Sequence, residues 1–514
     1  MPSLKQAAQR RATSVGVAGR VLLLAAAAAL CWLPFVGVTL TRDEAGLLMV
    51  GGQWGPGLSL YGDYWVDRPP LLIALFGAVS LMGEGAGARG MGAVAAAASV
   101  LAAAALGRAV APRVPRASVT LAAVAAVATA TPLMGAGAVS AEGLALPFVL
   151  MGLWAMVCTL GHRSAGSAVG FALLAGVFGA SAALVKQSFV DVFVFAAAAL
   201  VVHARQGKGD GRRTLALTGA VATGALLTCV PVLGVAELLG TGPLELWDAI
   251  VVFRGEAAAV IAASATEATA QRLVILIAAL VATALPLVVL SVLPALLRPP
   301  TAPSTVPDGS GLEGSEPTAQ PTTDLRLPAA MLLAWELFSV IFGGSYWLHY
   351  LVALVPGVAL LVGVAFQRHP SGGRGLRAAI AVASISTIVT IAVNVIHPEH
   401  VPEQASIDYL RAHAATGDTG VVAFGAPNIL YSAGLTSPYQ HLWSLPVRVR
   451  DPQLNDLAAV LAGPNRPDWL VVTGSSIATW GVDEDVAQPL VERYYTFRAA
   501  AGGFHIYSLT TNTP

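Results

Sequence analysis

The sequence predicts an α-helical polytopic membrane protein of about eleven transmembrane helices, followed by a small C-terminal extracytoplasmic α/β domain. Three observations predict it. Hydrophobic residues make up 56% of the 514 positions and the mean hydropathy is +0.70, far above a soluble domain. Apolar runs of spanning length recur as far as residue 396 and then stop. Lysine and arginine collect in alternate loops between those runs.

The N-terminus carries Lys5, Arg10, Arg11 and Arg20 ahead of an apolar stretch over 21–40. A cleaved signal peptide has a shorter apolar core of about 7–15 residues. Leu30 is too large for lipoprotein cleavage before Cys31. The stretch is therefore an uncleaved first span. Further runs lie at 90–107, 117–138, 143–160, 168–185, 188–203, 214–237, 273–297, 328–344, 349–366 and 376–396. The run 69–83 is short and opens with Pro69-Pro70, which predicts a juxtamembrane helix. With that helix outside and the N-terminus in the cytoplasm, 17 Lys and Arg residues fall in cytoplasmic segments and 6 in the opposite membrane loops. If 69–83 spanned, every later segment would be reversed. The orientation predicts a plasma-membrane protein with its C-terminal domain outside.

Residues 299–324 are rich in Pro, Ser, Thr and Gly and predict a disordered cytoplasmic linker. The chain divides into a membrane domain over 1–397 and an extracytoplasmic domain over 398–514. In the latter, 421–424, 469–472, 494–497 and 504–507 predict strands. Helices are predicted over 402–415, 453–462 and 484–493. Net charge is zero, so bulk charge implies no nucleic-acid partner. Cys31, Cys158 and Cys229 all sit in apolar runs and are small core residues rather than disulfides or metal ligands. No Walker, HExxH or zinc-spaced Cys/His motif is present, and no GxGxxG stands in strand–helix context.

Only 11% of residues are charged, so charges gathered at one membrane face stand out. The predicted topology brings Asp43, Glu44, Asp67, Arg68, Arg89, Ser140, Glu142, Lys186, Arg254, Arg272, Tyr346 and His349 to the outer surface. Asp43-Glu44 close the first span. A carboxylate partly withdrawn from water there would be a good general base, whereas the structural alternative is a solvated helix end. Asp67-Arg68-Pro69-Pro70 predicts a helix start with Asp67 as cap, and it aims an arginine that can neutralise a phosphate or hold a carboxylate. Glu142 opens a span, where the helix dipole alone would favour an acid. Lys186-Gln187 lies between two apolar runs, and the only other lysines are Lys5 and Lys208 in basic stretches. Lys186 is either a snorkelling side chain or a contact for a lipid phosphate. Arg254 is a further candidate phosphate contact. His349-Tyr350 starts a late span beside Tyr346, where binding competes with a structural hydrogen bond.

The first span ending in Asp-Glu, followed by Tyr61-Gly-Asp63-Tyr-Trp-Val-Asp67-Arg68-Pro69-Pro70-Leu71, resembles the first outer loop of GT-C glycosyltransferases. It is most similar to the branch holding protein O-mannosyltransferases, aminoarabinose transferases and Rgt-like sugar transferases. Arg89, Glu142, Lys186-Gln187 and His349-Tyr350-Leu with Pro356-Gly357 add to the resemblance, which covers about residues 20–400. It implies a polyprenyl-phosphate sugar donor and transfer to a glycan, lipid or protein acceptor at the outer membrane surface, without ATP. It implies Asp43 as catalytic base with Glu44 beside it. Asp67 and Glu142, with Glu44, would shape the acceptor or a metal site, and Arg68 and Lys186 would contact phosphate. A divalent cation, if used, would be held by Asp43, Asp67 and Glu142. Arg at 68 and Glu at 142 depart from the commoner His or Lys and Asp. Competing functions are a transporter or flippase whose charged residues line a pathway, and a non-catalytic scaffold.

Overall fold

A computed structural model describes residues 4–162, 164–263, 267–299, 323–370, 373–398, 401–474, 476–478 and 482–510. Most of the expected linker at 299–324 lies outside the described residues. Helices underlie every predicted apolar run. They are α1 (Leu4–Leu30), α2 (Arg42–Gly52), α3 (Pro70–Ser80), α4 (Glu84–Val110), α5 (Pro115–Ala130), α6 (Ala141–Gly161), α7 (Ala165–Val185), α8 (Asp191–Arg205) and α9 (Gly211–Leu238). Then come α10 (Pro243–Trp247), α11 (Phe253–Ala263), α12 (Glu267–Ala282), α13 (Leu285–Leu297), α14 (Arg326–Phe342), α15 (Val355–Arg368) and α16 (Arg374–Ile396). Among the described residues seven helical segments are long and apolar enough to cross a bilayer alone. Other runs form shorter helices, such as α5 with 16 residues, or about 24 Å.

The run 273–297 is not one helix but two. Pro286 lacks the N–H that would continue the ladder, and Ala284 takes a left-handed conformation at φ 58°. The Thr283 hydroxyl accepts from the Leu285 amide at 3.2 Å and restarts the helix. At 69–83, α3 has 11 residues, about 16 Å, too short to cross. It lies against α2 at backbone contact distance. A Cβ on Gly77 would sit 2.8 Å from the Gly51 carbonyl oxygen, so both positions need glycine.

After α16 come α17 (Glu403–His413), β1 (Gly420–Ala423), α18 (Pro427–Ala433), α19 (Ser444–Arg450), α20 (Asn455–Ala462), β2 (Trp469–Thr473), α21 (Gln488–Tyr494), β3 (Tyr495–Ala501) and β4 (Phe504–Leu509). The sheet order is β1-β2-β4-β3, with β1 parallel to β2 and the other pairs antiparallel. The four strands lie where the sequence predicts them. The seven-residue helices α18 and α19 were not expected.

Strand alternation gives the sheet two jobs. Val422, Val471 and Ile506 share one face and join the hydrophobic core that continues into the helical bundle. Val421, Leu470 and Val472 point the other way into a separate core with Tyr439, Val447 and Leu457. Polar contacts pin the sheet region to one end of the bundle. Arg42 pairs with Glu403 at 2.6 Å, and Thr39 donates to Gln404 at 2.8 Å. The Trp65 amide donates to the Gln440 carbonyl at 3.0 Å, and the Ser437 amide donates to the Tyr64 hydroxyl at 3.0 Å.

Candidate active site

Thr41 begins the site. In extended conformation it caps α2 and forms a reciprocal capping box with Glu44 three residues on. The box fixes the first turn, which carries Asp43 and Glu44 on different sides. Glu44 is fully buried. One oxygen accepts from the Thr41 amide at 2.9 Å and the Thr41 hydroxyl at 3.0 Å. The other accepts from Arg89 of α4 and from the Val139 amide at 2.7 Å. Arg89, also buried, donates to the Phe35 carbonyl at 3.2 Å. Glu44 thus ties α2 to α4 and to the turn before α6. Glu44 was expected beside the catalytic base; it is fully enclosed, and both its oxygens already accept hydrogen bonds.

Asp43 faces the other way and is exposed, as in the solvated helix-end reading rather than the partly withdrawn one. Its Oδ1 accepts a hydrogen bond at 3.0 Å from the indole Nε1 of Trp443, just before α19.

Asp67 is buried and pairs with Arg68 at 2.8 Å and with Arg254 of α11. It is not the cap of α3, whose N-cap is Pro69. Were Asp67 the cap, the next amides it could accept from would belong to Pro69 and Pro70, which have none. The Asp67 carbonyl instead accepts from the Gln187 side chain at 3.2 Å, and the Tyr61 hydroxyl donates to the Arg68 carbonyl at 2.7 Å. Burial opposes ionisation of Asp67, but Arg68, Arg254 and Lys186 outweigh it and hold the carboxyl below its ordinary range.

Ser140 caps α6 and accepts from the Gly143 amide at 3.1 Å, placing Glu142 in the first turn. Glu142 is buried and pairs with Lys186 Nζ at 2.9 Å, with His349 Nε2 at 3.8 Å. Lys186 leaves the end of α7 in an extended conformation and stands 5.6 Å from the Tyr350 ring centroid. It is held in the site and does not snorkel. The Tyr350 ring meets His349 edge-on at 5.2 Å.

The residues Asp67, Arg68, Glu142, Lys186, Gln187, Arg254, His349 and Tyr350 thus meet at one end of the bundle. Two buried carboxylates hold three cations, an arrangement with spare positive charge. Arg68 and Arg254 keep part of their side chains open to solvent, at 24% and 38% exposure. The site suits an anion carrying several oxygens, such as a phosphate ester. Asp43, Asp67 and Glu142 do not converge as a ligand set. Each has its own partner, and the described residues contain no cluster of three such groups. The cation site expected from them does not fit.

Sequence reasoning missed Trp443 and Arg450. Arg450 of α19 pairs with Asp248 at 2.7 Å and Glu256 at 3.2 Å, across the turn that carries Arg254, and lies over the Trp65 and Phe253 rings. The aromatic residues Tyr439, His441 and Trp443 were the available signal, but nothing in the sequence ties them to a loop almost 400 residues away.

No family model matches the sequence, and no curated protein is similar to it by sequence. Solved structures are. ArnT from Cupriavidus metallidurans in its apo state is similar with a TM-score of 0.58 at 14% identity, over 96% of this chain and 98% of that one. The same protein bound to undecaprenyl phosphate gives 0.56. The archaeal oligosaccharyltransferase AglB from Archaeoglobus fulgidus, in complex with an inhibitory peptide and a dolichol-phosphate, gives 0.50 at 14% identity over 96% of this chain and 75% of that one. The chain shares the fold of these structures. The likeness in fold covers 96% of the chain, more than the stretch of about residues 20–400 that the sequence resemblance covers.

Proposed function

We propose that this chain is a membrane glycosyltransferase moving a sugar from a polyprenyl-phosphate-linked donor to an acceptor hydroxyl, with inversion at the anomeric carbon. The acceptor is a glycan, lipid or protein at the outer face of the plasma membrane. The N-terminus is cytoplasmic, and residues 398–514 form a domain on the outer side. Hexose and pentose donors both fit the proposal. The observation that carries it is the meeting of Arg68, Lys186 and Arg254 around two buried carboxylates, beside the exposed Asp43. ArnT and AglB structures with a bound polyprenyl phosphate and the GT-C fold support the donor class.

In this chemistry the donor is already activated. Asp43 takes the proton of the acceptor hydroxyl as that oxygen bonds to the anomeric carbon. The bond from that carbon to the phosphate oxygen breaks, and its electron pair leaves with the polyprenyl phosphate. Arg68, Lys186 and Arg254 stabilise the charge gathering on the leaving oxygen. Asp67 and Glu142 hold those cations in place, and Gln187, His349 and Tyr350 border the donor. No step passes through a metal.

The cations provide the test. Free undecaprenyl phosphate added to membranes inhibits transfer by competing with the donor, and Lys186→Met weakens that inhibition about 10- to 100-fold, as expected for one charged hydrogen bond. Inhibition equal in wild type and Lys186→Met would remove the phosphate-site assignment.

A further inference from the structure

We infer that Trp443 is a positioning residue for Asp43, so that the C-terminal domain completes the catalytic end of the membrane domain; this rests on the proposed role of Asp43 as base. Three features carry it. The indole Nε1 donates to Asp43 Oδ1 at 3.0 Å. The ring is seated against the first turns of α2, where a Cβ on Gly46 would lie 2.3 Å from Trp443 Cζ2. Gly46 stands one turn after Asp43 on the same helix, so helix spacing clears the floor on which the indole lies while its N–H reaches the carboxylate. The segment that brings Trp443 is fixed independently, through the Trp65–Gln440 backbone bond and the Ser437–Tyr64 bond.

A carboxylate at a helix start rotates freely unless held, and one of its oxygens must face the acceptor hydroxyl. The Trp443 N–H occupies Oδ1 and leaves Oδ2 for the proton. Indole is a donor only, so it cannot compete as a base.

The test uses the full chain in membranes, with the radiolabelled polyprenyl-phosphate sugar that wild type uses. Trp443→Phe keeps the ring and removes the N–H. The expected result is a kcat lower by about 10- to 100-fold with donor KM little changed. Gly46→Val, which displaces the indole, reproduces the effect. A Trp443→Phe enzyme with wild-type kcat, beside an inactive Asp43→Asn, overturns the inference and leaves Asp43 as base. An active Asp43→Asn overturns the base assignment itself. A measurement without turnover is thermal unfolding of detergent-solubilised Asp43→Ala, Trp443→Phe and the double variant. The double variant loses less than the summed single losses if the bond is present. Strictly additive losses overturn the contact.

Discussion

Asp43 and Glu44 are neighbours in sequence and opposites in environment. Glu44 is buried against Arg89, so truncating either partner leaves an uncompensated charge, at a cost of about 3–5 kcal/mol. Glu44→Ala should therefore lower the unfolding temperature in detergent sharply, while Asp43→Asn, at an exposed position, should leave it near wild type. Equal effects on stability would contradict the division of labour between them. Asp43, Asp67, Glu142 and Lys186 were legible in the sequence because charge is rare in this chain and these residues sit at helix ends. The burial of Glu44 was not legible. Its partner Arg89 lies 45 residues away, and a carboxylate before an apolar run looks the same whether it faces water or the core. The expected cap role of Asp67 failed for a reason that was readable, since two prolines offer it no amide.

At the scale of elements, two contacts set the geometry of the site. The first is the α2–α3 crossing, where Gly77 meets the Gly51 backbone. Gly77→Val forces these helices apart, with an expected cost of about 1–3 kcal/mol and loss of transfer, measured by unfolding and label transfer. The second is the strip around His441. Its imidazole is buried between Tyr439 and Trp65, near Asp451 and Arg450, and among the described residues neither ring nitrogen has a hydrogen-bond partner. Burial pushes its pKa from 6.5 down to about 4, with Arg450 adding to the effect and Asp451 opposing it. The folded state therefore takes up its proton later than the unfolded state as pH falls. Stability from neutral His441 is complete above pH 6.5 and declines from there towards pH 4, by about 3 kcal/mol in all. Unfolding temperatures across that window should fall for wild type and fall less for His441→Phe. The split of the 273–297 run belongs to this scale too. Hydropathy reads through Pro286, but the hydrogen-bond ladder does not.

For the whole molecule, the sequence made the helical bundle and the sheet legible through period and composition, and left their relation unread. The two parts are continuous, since one face of the sheet shares the core of the bundle. Residues from the C-terminal region reach Arg42, Asp43, Trp65 and the turn that carries Arg254. Contacts spanning up to 400 positions leave no local pattern, which is why Trp443 and Arg450 were invisible in the sequence. This continuity predicts that the C-terminal region does not act as a detachable module. A chain ending after α16 exposes Val422-facing apolar surface of the bundle and should lose transfer even when it inserts, checked by label transfer alongside insertion.

The central claim is sugar transfer with Asp43 as base. The most direct measurement is movement of label from a panel of radiolabelled polyprenyl-phosphate sugars in membranes expressing wild type or Asp43→Asn, with the native membrane acceptors present. Label reaching an acceptor with wild type, and falling by at least about 100-fold with a folded, inserted Asp43→Asn, is the predicted result. Transfer unchanged by Asp43→Asn, or no transfer from any donor by the folded wild-type protein, would contradict it.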